Sequence, residues 1–320
     1  MEWYFVAFIF LLSCLVLAWL SSRVMKSLTN IGKFLGLKEF VIAFFIMALA
    51  ASLPNLFVDL NASLQHKPEI AFGDIIGGNL VDLTIVLAIA AFFSKKGLSA
   101  KSDMVQKSAI FTAGIAVLPL LLMWDGKLDR MDGIILIFAF FLYSWWLFSE
   151  KSRFHKIYRQ NDSAITFKSF VGNILEILLL LLLLLGASQA VVWSAQFFAD
   201  KLNVSLSLVG ILIVALGNSF PETYFSIISA RKNENWMVLG DLMGSVINCS
   251  TLVLGLIALI APFEIKDLSL FIAARTFLII AAAFSLLFII TGKKISKKEA
   301  LFLLFIYISF LLVEVFIKPR

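Results

Sequence analysis

The sequence predicts an all-α polytopic membrane protein, and three observations lead to that fold class. Hydrophobic residues make up 61% of the 320 residues, only 15% are charged, and the mean hydropathy is +0.98, which is far too apolar for a soluble domain. The apolar runs are long, rich in Leu, Ile and Phe, and free of the two-residue alternation of strands. Because a backbone in lipid must satisfy its own polar groups, such runs favour helices over a barrel.

Ten transmembrane helices account for the apolar runs, because a helix needs about 20 residues to cross a bilayer. The first run lacks a preceding basic region and a small-residue cleavage site, which predicts a retained helix and not a signal peptide. The sixth run is long, so the start of its helix is the least sharply defined. In chain order the predicted helices span residues 3–22, 38–64, 70–93, 106–124, 131–149, 170–199, 204–230, 236–261, 268–291 and 298–317.

Basic residues between the predicted helices indicate the topology. Of the 27 Lys and Arg residues, nineteen fall in the odd-numbered connections, seven fall in the even-numbered connections and the C-terminal tail, and Arg275 lies near the start of the ninth helix. Because cytoplasmic connections carry the excess of basic residues, both termini are predicted to be extracytoplasmic. Topology therefore explains the sequence pI of about 9.2 without a nucleic-acid partner.

The chain is predicted to contain two repeats. Residues 1–149 form a first five-helix repeat, residues 150–169 a basic cytoplasmic connection, and residues 170–320 a second five-helix repeat. A shift of 167 residues brings a Ser-x-Pro and a Gly-Asp-x-x-Gly of one half onto the same patterns in the other. Because each repeat has an odd number of helices, the second enters the membrane inverted, an arrangement that places an ion site near the midplane.

Each half carries a proline inside an apolar helix, in "AASLPN" and "GNSFPE". Proline has no N–H, so Pro54 frees the carbonyl of Ala50 and Pro221 frees that of Gly217. Packing alone accommodates many membrane prolines, but two at equivalent positions, each followed by a polar residue, favour function. Oxygen ligands then cluster beside a loosened backbone, as hard cations require, and they come from Asn55, Glu222, Ser52 and Ser219.

The helices that follow carry acidic residues on one face. In "FGDIIGGNLVD" and "LGDLMGSVINC" the polar positions are spaced i, i+4 and i+8. A carboxylate inside a bilayer costs several kcal/mol, so intramembrane acids are functional candidates by default. Asp74 and Asp241 lie nearer to their helix starts and leave a second interpretation open, that of wetted residues at the membrane surface. The candidate acids are Asp59, Asp74, Asp82, Glu222 and Asp241.

These motifs resemble the α1 and α2 repeats of the cation/calcium antiporter superfamily, nearest to its sodium/calcium exchanger branch. The family patterns are roughly G-[TN]-S-x-P-E and G-N-x-x-G-S-N-x-x-[ND]. The resemblance implies sites for one calcium and several sodium ions in ten inverted helices. It assigns ligands to Asn55, Glu222, Asp82, Cys249, Ala51, Ser52, Asn218, Ser219, Gly78 and Ser245 and to the carbonyls of Ala48 and Ala215.

The chain departs from the family pattern at several of these positions. Asn55 stands where the family has an acid, and Asp82 stands where the first repeat usually has a neutral residue. Cys249 replaces an oxygen ligand, and Gly78 and Ala51 each remove a hydroxyl. Asp82 and Glu222 still balance a divalent ion, but the loss of sodium ligands leaves sodium coupling open.

The sequence favours a secondary active antiporter of the cell membrane that exchanges a divalent cation, with calcium the expected ion, for sodium by alternating access. The expected partners are inorganic cations and the lipid bilayer, with no cofactor and no enzymatic motif. Two alternatives remain. One is a proton-coupled exchanger, in which protonation of buried acids replaces sodium binding, and the other is a non-transporting relative with a degenerate site.

Overall fold

The protein is described here by a computed structural model, which covers residues 2–34, 47–149, 167–265 and 267–314. The start of the predicted second helix and most of the central connection lie outside these ranges. The described residues are mainly α-helical. The helices are α1 (Trp3–Phe34), α2 (Met47–Ala51), α3 (Leu53–Leu64), α4 (Pro68–Val81), α5 (Leu87–Phe93), α6 (Asp103–Leu122), α7 (Arg130–Ser149), α8 (Phe167–Leu202), α9 (Leu206–Val209), α10 (Ala215–Asn218), α11 (Phe220–Arg231), α12 (Asn235–Asn248), α13 (Leu254–Ile260), α14 (Ile272–Gly292) and α15 (Lys297–Leu312).

The helices confirm an all-helical membrane protein. Within the described ranges, seven helical segments are long and apolar enough to cross a membrane. An eighth span results if Leu206–Asn218 and Phe220–Arg231, which meet at a 40° bend, are counted together.

Most predicted helix boundaries agree with the structure to within a few residues, but the end of the first helix was predicted wrongly. Helix α1 continues to Phe34 instead of ending near residue 22. Its added turns carry Arg23, which bonds Glu176 of α8 at 2.8 Å, and Ser27, which donates to the same carboxylate at 2.8 Å. Pairing across the two helices therefore stabilises a polar extension that hydropathy alone does not indicate.

The helices recur at the same 167-residue offset as the sequence motifs. Helix α3 is equivalent to α11, α4 to α12, and α5 to α13, with both ends of each pair matching. The turn after α3 holds His66 at φ 58°, and the turn after α11 holds the equivalent Asn233 at φ 60°. The two halves thus share their local backbone conformation as well as their sequence patterns.

Two short antiparallel strand pairs join the halves. Strand β1 (Leu98–Ser99) pairs with β4 (Lys294–Ile295), and β2 (Lys127–Leu128) pairs with β3 (Phe263–Glu264). Strands β2 and β4 are themselves equivalent at the 167-residue offset. Each pair therefore links a connection of one half to a connection of the other.

The centre of the protein is built around α4 and α12 with their continuations. In the segments Pro68–Phe93 and Asn235–Ile260, 83% and 78% of the most apolar window is buried, against 17% in Phe170–Leu202 of α8. Glycine allows the close packing of α4: a Cβ at Gly77 would lie 2.4 Å from the carbonyl oxygen of Ile211. The two helical segments that carry the motif acids are thus the ones most enclosed by protein.

Candidate cation site

Two helix breaks lie at the predicted proline motifs. Helix α2 gives way to α3 at Ser52, and α10 gives way to α11 at Ser219, with a proline in the first turn of each new helix. Proline is tolerated there because the first turn has no N–H partner to lose. The carbonyl of Ala50 accepts the hydroxyl of Ser21 from α1, as expected for a carbonyl that Pro54 deprives of its donor. Pro221 likewise removes the N–H that would otherwise bond the carbonyl of Gly217.

The partner helices change geometry at the predicted ligand positions. Helix α4 passes into a π-helical segment, Asp82–Val86, and α12 passes into its equivalent, Cys249–Val253. Asp82 and Cys249 are the first residues of these segments. A π-helical turn is rare and occurs frequently at functional sites. The backbone is therefore irregular on both sides of the predicted site.

Two of the predicted acids form the charged part of the site, which we call the acidic pair. Asp82 is 3% exposed and Glu222 is 1% exposed, and their charges act on each other. Ser245 donates to Glu222 Oε1 at 3.4 Å, and the hydroxyls of Ser245 and Ser219 interact electrostatically with Asp82. Asp82 Oδ1 and Glu222 Oε2 have no hydrogen-bond partner among the described residues. Two carboxylates and two hydroxyls thus converge, with oxygen atoms left free to bind.

Each member of the acidic pair has an uncharged equivalent in the opposite half, and we call these two residues the neutral pair. Asn55 corresponds to Glu222, and Cys249 corresponds to Asp82, at the 167-residue offset. Asn55 Nδ2 lies 3.3 Å from Cys249 Sγ, and both side chains are buried. A Cβ at Gly78 would lie 4.0 Å from Asn55 Nδ2, so position 78 adjoins this pair. The Cys249 thiol, which the family resemblance assigns to the ion site, therefore lies beside Asn55, another predicted ligand.

The remaining acids also lie inside the protein. Asp74 is fully buried, and its Oδ2 accepts Asn218 Nδ2 at 2.6 Å. Asp241 is 7% exposed, and its charge acts on both members of the acidic pair. The interpretation of Asp74 and Asp241 as wetted surface residues is therefore wrong. The sequence indicated both acids, but not their enclosure.

The site contrasts with a preformed metal centre. Among the described residues, no three carboxylate, thiol or imidazole side chains converge closely enough to hold a metal. A cation here would need hydroxyl, amide or carbonyl oxygens in addition. Ser52 is 2% exposed beside its helix break, Ala48 lies within α2, and the carbonyl of Ala215 accepts the N–H of Ser219 at 3.1 Å.

Within the described ranges, basic residues do not compensate the charge of the site. In the part of the chain that the structure describes, no Lys, Arg or His side chain forms a salt bridge with these carboxylates. Removing an unpaired carboxylate from water costs several kcal/mol, and two neighbouring carboxylates also repel each other. The arrangement is therefore suited to binding a cation or a proton.

Buried carboxylates between two equivalent sets of broken helices define the class of the protein, a membrane transporter for cations. A family profile described as sodium/calcium exchanger protein matches residues 5–149 and 173–316, one segment in each half. The chain belongs to this family. Its members are secondary transporters and not enzymes.

Several curated proteins resemble the chain over most of its length. The inner membrane protein YrbG of Escherichia coli is 27% identical, and the match covers 85% of each chain. The sodium/calcium exchanger MaX1 of Methanosarcina acetivorans is 26% identical over 93% of this chain and 95% of that one. The putative antiporter CaxA of Alkalimonas amylolytica is 28% identical over 95% and 97%.

Two kinds of solved structure share the fold. The sodium-calcium exchanger NCX_Mj has a TM-score of 0.66 at 23% identity, covering 97% of this chain and 99% of that one. An H+/Ca2+ exchanger, CAX, has a TM-score of 0.80 at 17% identity, covering 98% of this chain and 82% of that one. At these identities the likeness concerns the fold alone.

Proposed function

We propose that the protein is a secondary active antiporter that exchanges Ca2+ for Na+ across the cell membrane. The observation that carries the proposal is the acidic pair, Asp82 and Glu222. Both side chains are buried, Ser245 donates to Glu222 and interacts electrostatically with Asp82, and no basic side chain of the described residues neutralises them. Two carboxylates match the charge of one divalent ion, and oxygen is the ligand that Ca2+ prefers.

Exchange follows if the two ions use the same carboxylates. A Na+ ion at the acidic pair would occupy oxygen atoms that Ca2+ needs, so one ion must leave before the other binds. The site residues carried over from the sequence, including Ser52, Asn218, Ser219 and the carbonyls at the two helix breaks, complete the oxygen ligands in this proposal.

Alternating access requires an element that moves relative to the site. In our proposal the ten helices form two inverted repeats, and α1 slides with α8 across the rest. Three contacts support this assignment. Helix α1 packs along α8, Arg23 and Ser27 hold Glu176 at one end, and the side chains of Phe10 and Cys14 lie against Gly217 beside the second break.

A proton-coupled exchanger is the second candidate, and a specific observation favours it. Asp59, Asp74 and Asp241 are buried in addition to the acidic pair, and the described residues supply them with no basic partner. In this version protons released from and returned to these acids replace sodium binding. The neutral pair, which offers only one amide oxygen and a thiol, also reduces the capacity for Na+.

Uptake of radiolabelled Ca2+ into liposomes containing the purified protein tests the proposal. A Na+ gradient that drives uptake, with a proton gradient of the same size having no effect, supports the sodium-coupled version. The opposite result supports proton coupling. No uptake under either gradient, by protein that is folded and inserted, would indicate the non-transporting relative.

The proposed orientation has a test of its own. Both termini and Lys127 are placed outside the cell, and Lys101 is placed in the cytoplasm, from the distribution of basic residues. We expect an impermeant thiol reagent on intact cells to label Lys127→Cys but not Lys101→Cys, in a background in which Cys14 and Cys249 are replaced by Ser. Both positions are exposed. Labelling at Lys101→Cys alone would invert the topology.

A further inference from the structure

The strand pair β1–β4 carries a cluster of lysines, which we call the basic surface. Two of them lie in the turn that leads into β1, and four lie between the end of α14 and the first turn of α15. All six are exposed, and none has a hydrogen-bond or salt-bridge partner among the described residues. Segments 94–99 and 293–298 contain no Asp or Glu. The basic surface consists of Lys95, Lys96, Lys293, Lys294, Lys297 and Lys298.

Backbone pairing holds the two groups of lysines together, although they belong to different halves of the protein. Leu98 lies opposite Ile295 in the strand pair, and both side chains are fully buried. The N–H of Ala100 donates to the carbonyl of Lys293 at 2.9 Å. Neighbouring positive charges repel one another unless anions offset them. The fold thus fixes a surface that favours an anionic partner.

Lys293 occupies its place in the basic surface in an unfavourable backbone conformation. It has φ 47° and ψ 27°, in the left-handed region that a Cβ disfavours. The equivalent residue at the 167-residue offset is Gly126, with φ 84°, and glycine is the residue type that this region favours. The other non-glycine residues that the described chain holds at positive φ are His66, Asn203 and Asn233, types that tolerate it better. Because glycine would fit the backbone better, we infer that lysine occupies position 293 for its charge.

The other strand pair, at the opposite end of α6 and α14, is not basic in this way. There Lys127 of β2 forms an ion pair with Glu264 of β3 at 3.7 Å, and the connection that holds Lys127 also carries aspartates. Lys127 and Arg130 are the equivalents of Lys294 and Lys297, so the two surfaces share a backbone plan but differ in charge. Membrane topology accounts for an excess of basic residues on one side, but it does not require a lysine in a left-handed conformation.

Apolar side chains exposed beside the basic surface place it at the level of the lipid headgroups. Phe93 is exposed at the end of α5, Ile290 near the end of α14, and Leu301 in the second turn of α15. Side chains of this kind on membrane-crossing helices face the acyl chains. The long apolar stem of a lysine extends from that level and carries its charge to the lipid phosphates.

We propose that the basic surface binds the phosphate groups of anionic phospholipids in the adjacent leaflet. Lipid is favoured over a soluble polyanion because the six lysines lie within two helical turns of lipid-facing side chains. Since β1 and β4 come from different halves, bound headgroups would also link the two halves. This inference does not depend on which ions the protein transports.

Electron paramagnetic resonance of spin-labelled lipids tests the proposal. The purified full-length protein is reconstituted in phosphatidylcholine, and its association with spin-labelled phosphatidylglycerol and spin-labelled phosphatidylcholine is compared. We expect the wild type to prefer phosphatidylglycerol. One lysine at an anionic lipid surface contributes about fivefold in affinity. Lys294→Gln/Lys297→Gln should therefore lose most of the preference, and the matched control Lys127→Gln/Arg130→Gln should retain it.

Lys293→Gly separates the charge of position 293 from its effect on folding. Because glycine fits this backbone conformation, the variant should unfold in phosphatidylcholine at the temperature of the wild type or above it. Its preference for phosphatidylglycerol should nevertheless fall about fivefold. A lower unfolding temperature, or an unchanged preference, would overturn the inference that lysine occupies this position for its charge.

Three results would overturn the proposal as a whole. They are equal association of both lipids with the wild type, an unchanged preference in Lys294→Gln/Lys297→Gln, and an equal loss of preference in the control. A soluble partner is tested by calorimetric titration of polyphosphate into the protein in phosphatidylcholine. Polyphosphate binding that depends on Lys294 and Lys297, without a preference for phosphatidylglycerol, would assign the basic surface to a soluble polyanion instead.

Discussion

Replacing Glu222 with Gln is the sharpest test of the acidic pair. The change removes one of two charges but keeps the size of the side chain and an oxygen that can accept from Ser245, now 3.4 Å from Glu222 Oε1. A divalent ion would retain only Asp82 as a buried counter-charge. Because the site is enclosed, water cannot replace the lost carboxylate.

The magnitude follows from the cost of breaking a buried ion pair. Removing one partner of such a pair costs about 3 to 5 kcal/mol. Since each 1.4 kcal/mol is a factor of ten, Ca2+ affinity should fall roughly 100-fold to a few thousand-fold in Glu222→Gln. Asp82→Asn should cause a loss of similar size, because it removes the other half of the same charge.

The assay is Ca2+ binding followed by Ca2+ uptake in proteoliposomes, with Glu264→Gln as the control. Glu264 is a glutamate in strand β3 whose side chain is 57% exposed, and it pairs with Lys127 at 3.7 Å. An exposed pair of this kind contributes about 0 to 1 kcal/mol, so the control should bind Ca2+ as the wild type does. Affinity within threefold of wild type in Glu222→Gln would refute the assignment of Glu222 to the site.

Two further predictions concern the moving helix and the neutral pair. A Cβ at Gly217 would lie 2.7 Å from Cys14 Sγ and 2.9 Å from Phe10 Cζ, so Gly217→Ala should destabilise the protein by about 1 to 3 kcal/mol and slow transport. Adding Cys14→Ala should restore part of the stability, measured by thermal unfolding, and part of the transport rate, measured by uptake. If Gly217→Ala changed neither stability nor transport, α1 would lie farther from the helix break. Cys249→Asp should strengthen the sodium dependence of uptake, because it returns a hard, charged oxygen ligand beside Asn55. Unchanged sodium dependence in both Cys249→Asp and Cys249→Ala would show that position 249 lies outside the ion path.

Local sequence was sufficient to predict the helices and their repetition. The length of an apolar run decides whether a helix can cross the bilayer. The 167-residue offset between the motifs also separates the first and last residues of the equivalent helices. These features depend on composition and periodicity, which a single chain displays directly. The assignment of Asp82, Glu222 and Ser245 to one site came instead from the resemblance of the motifs to the exchanger family.

Features that depend on contacts between distant segments were not predictable in the same way. The two π-helical segments that begin at Asp82 and Cys249 have no compositional signature. The two-residue strands exist only through pairing with the other half. The electrostatic interaction between the carboxylates of Asp59 and Asp74 was missed, although a signal was present. The two acids lie seven and eight residues from His66, so an antiparallel hairpin turning there places them at nearly the same level.

The division of the site into an acidic and a neutral pair bears on how two ions can be coupled. The two equivalent halves place four ligand positions at the site, and each could carry a carboxylate. Because two of them are Asn55 and Cys249, only Asp82 and Glu222 are charged. Asn55 offers one free amide oxygen, and the thiol is a poor ligand for a hard cation. The neutral pair therefore cannot hold Na+ tightly while Ca2+ occupies the acidic pair. In the proposed sodium-coupled exchange, Na+ would then compete with Ca2+ for the same two carboxylates, and this competition would couple the two ions without a separate set of charged sodium sites.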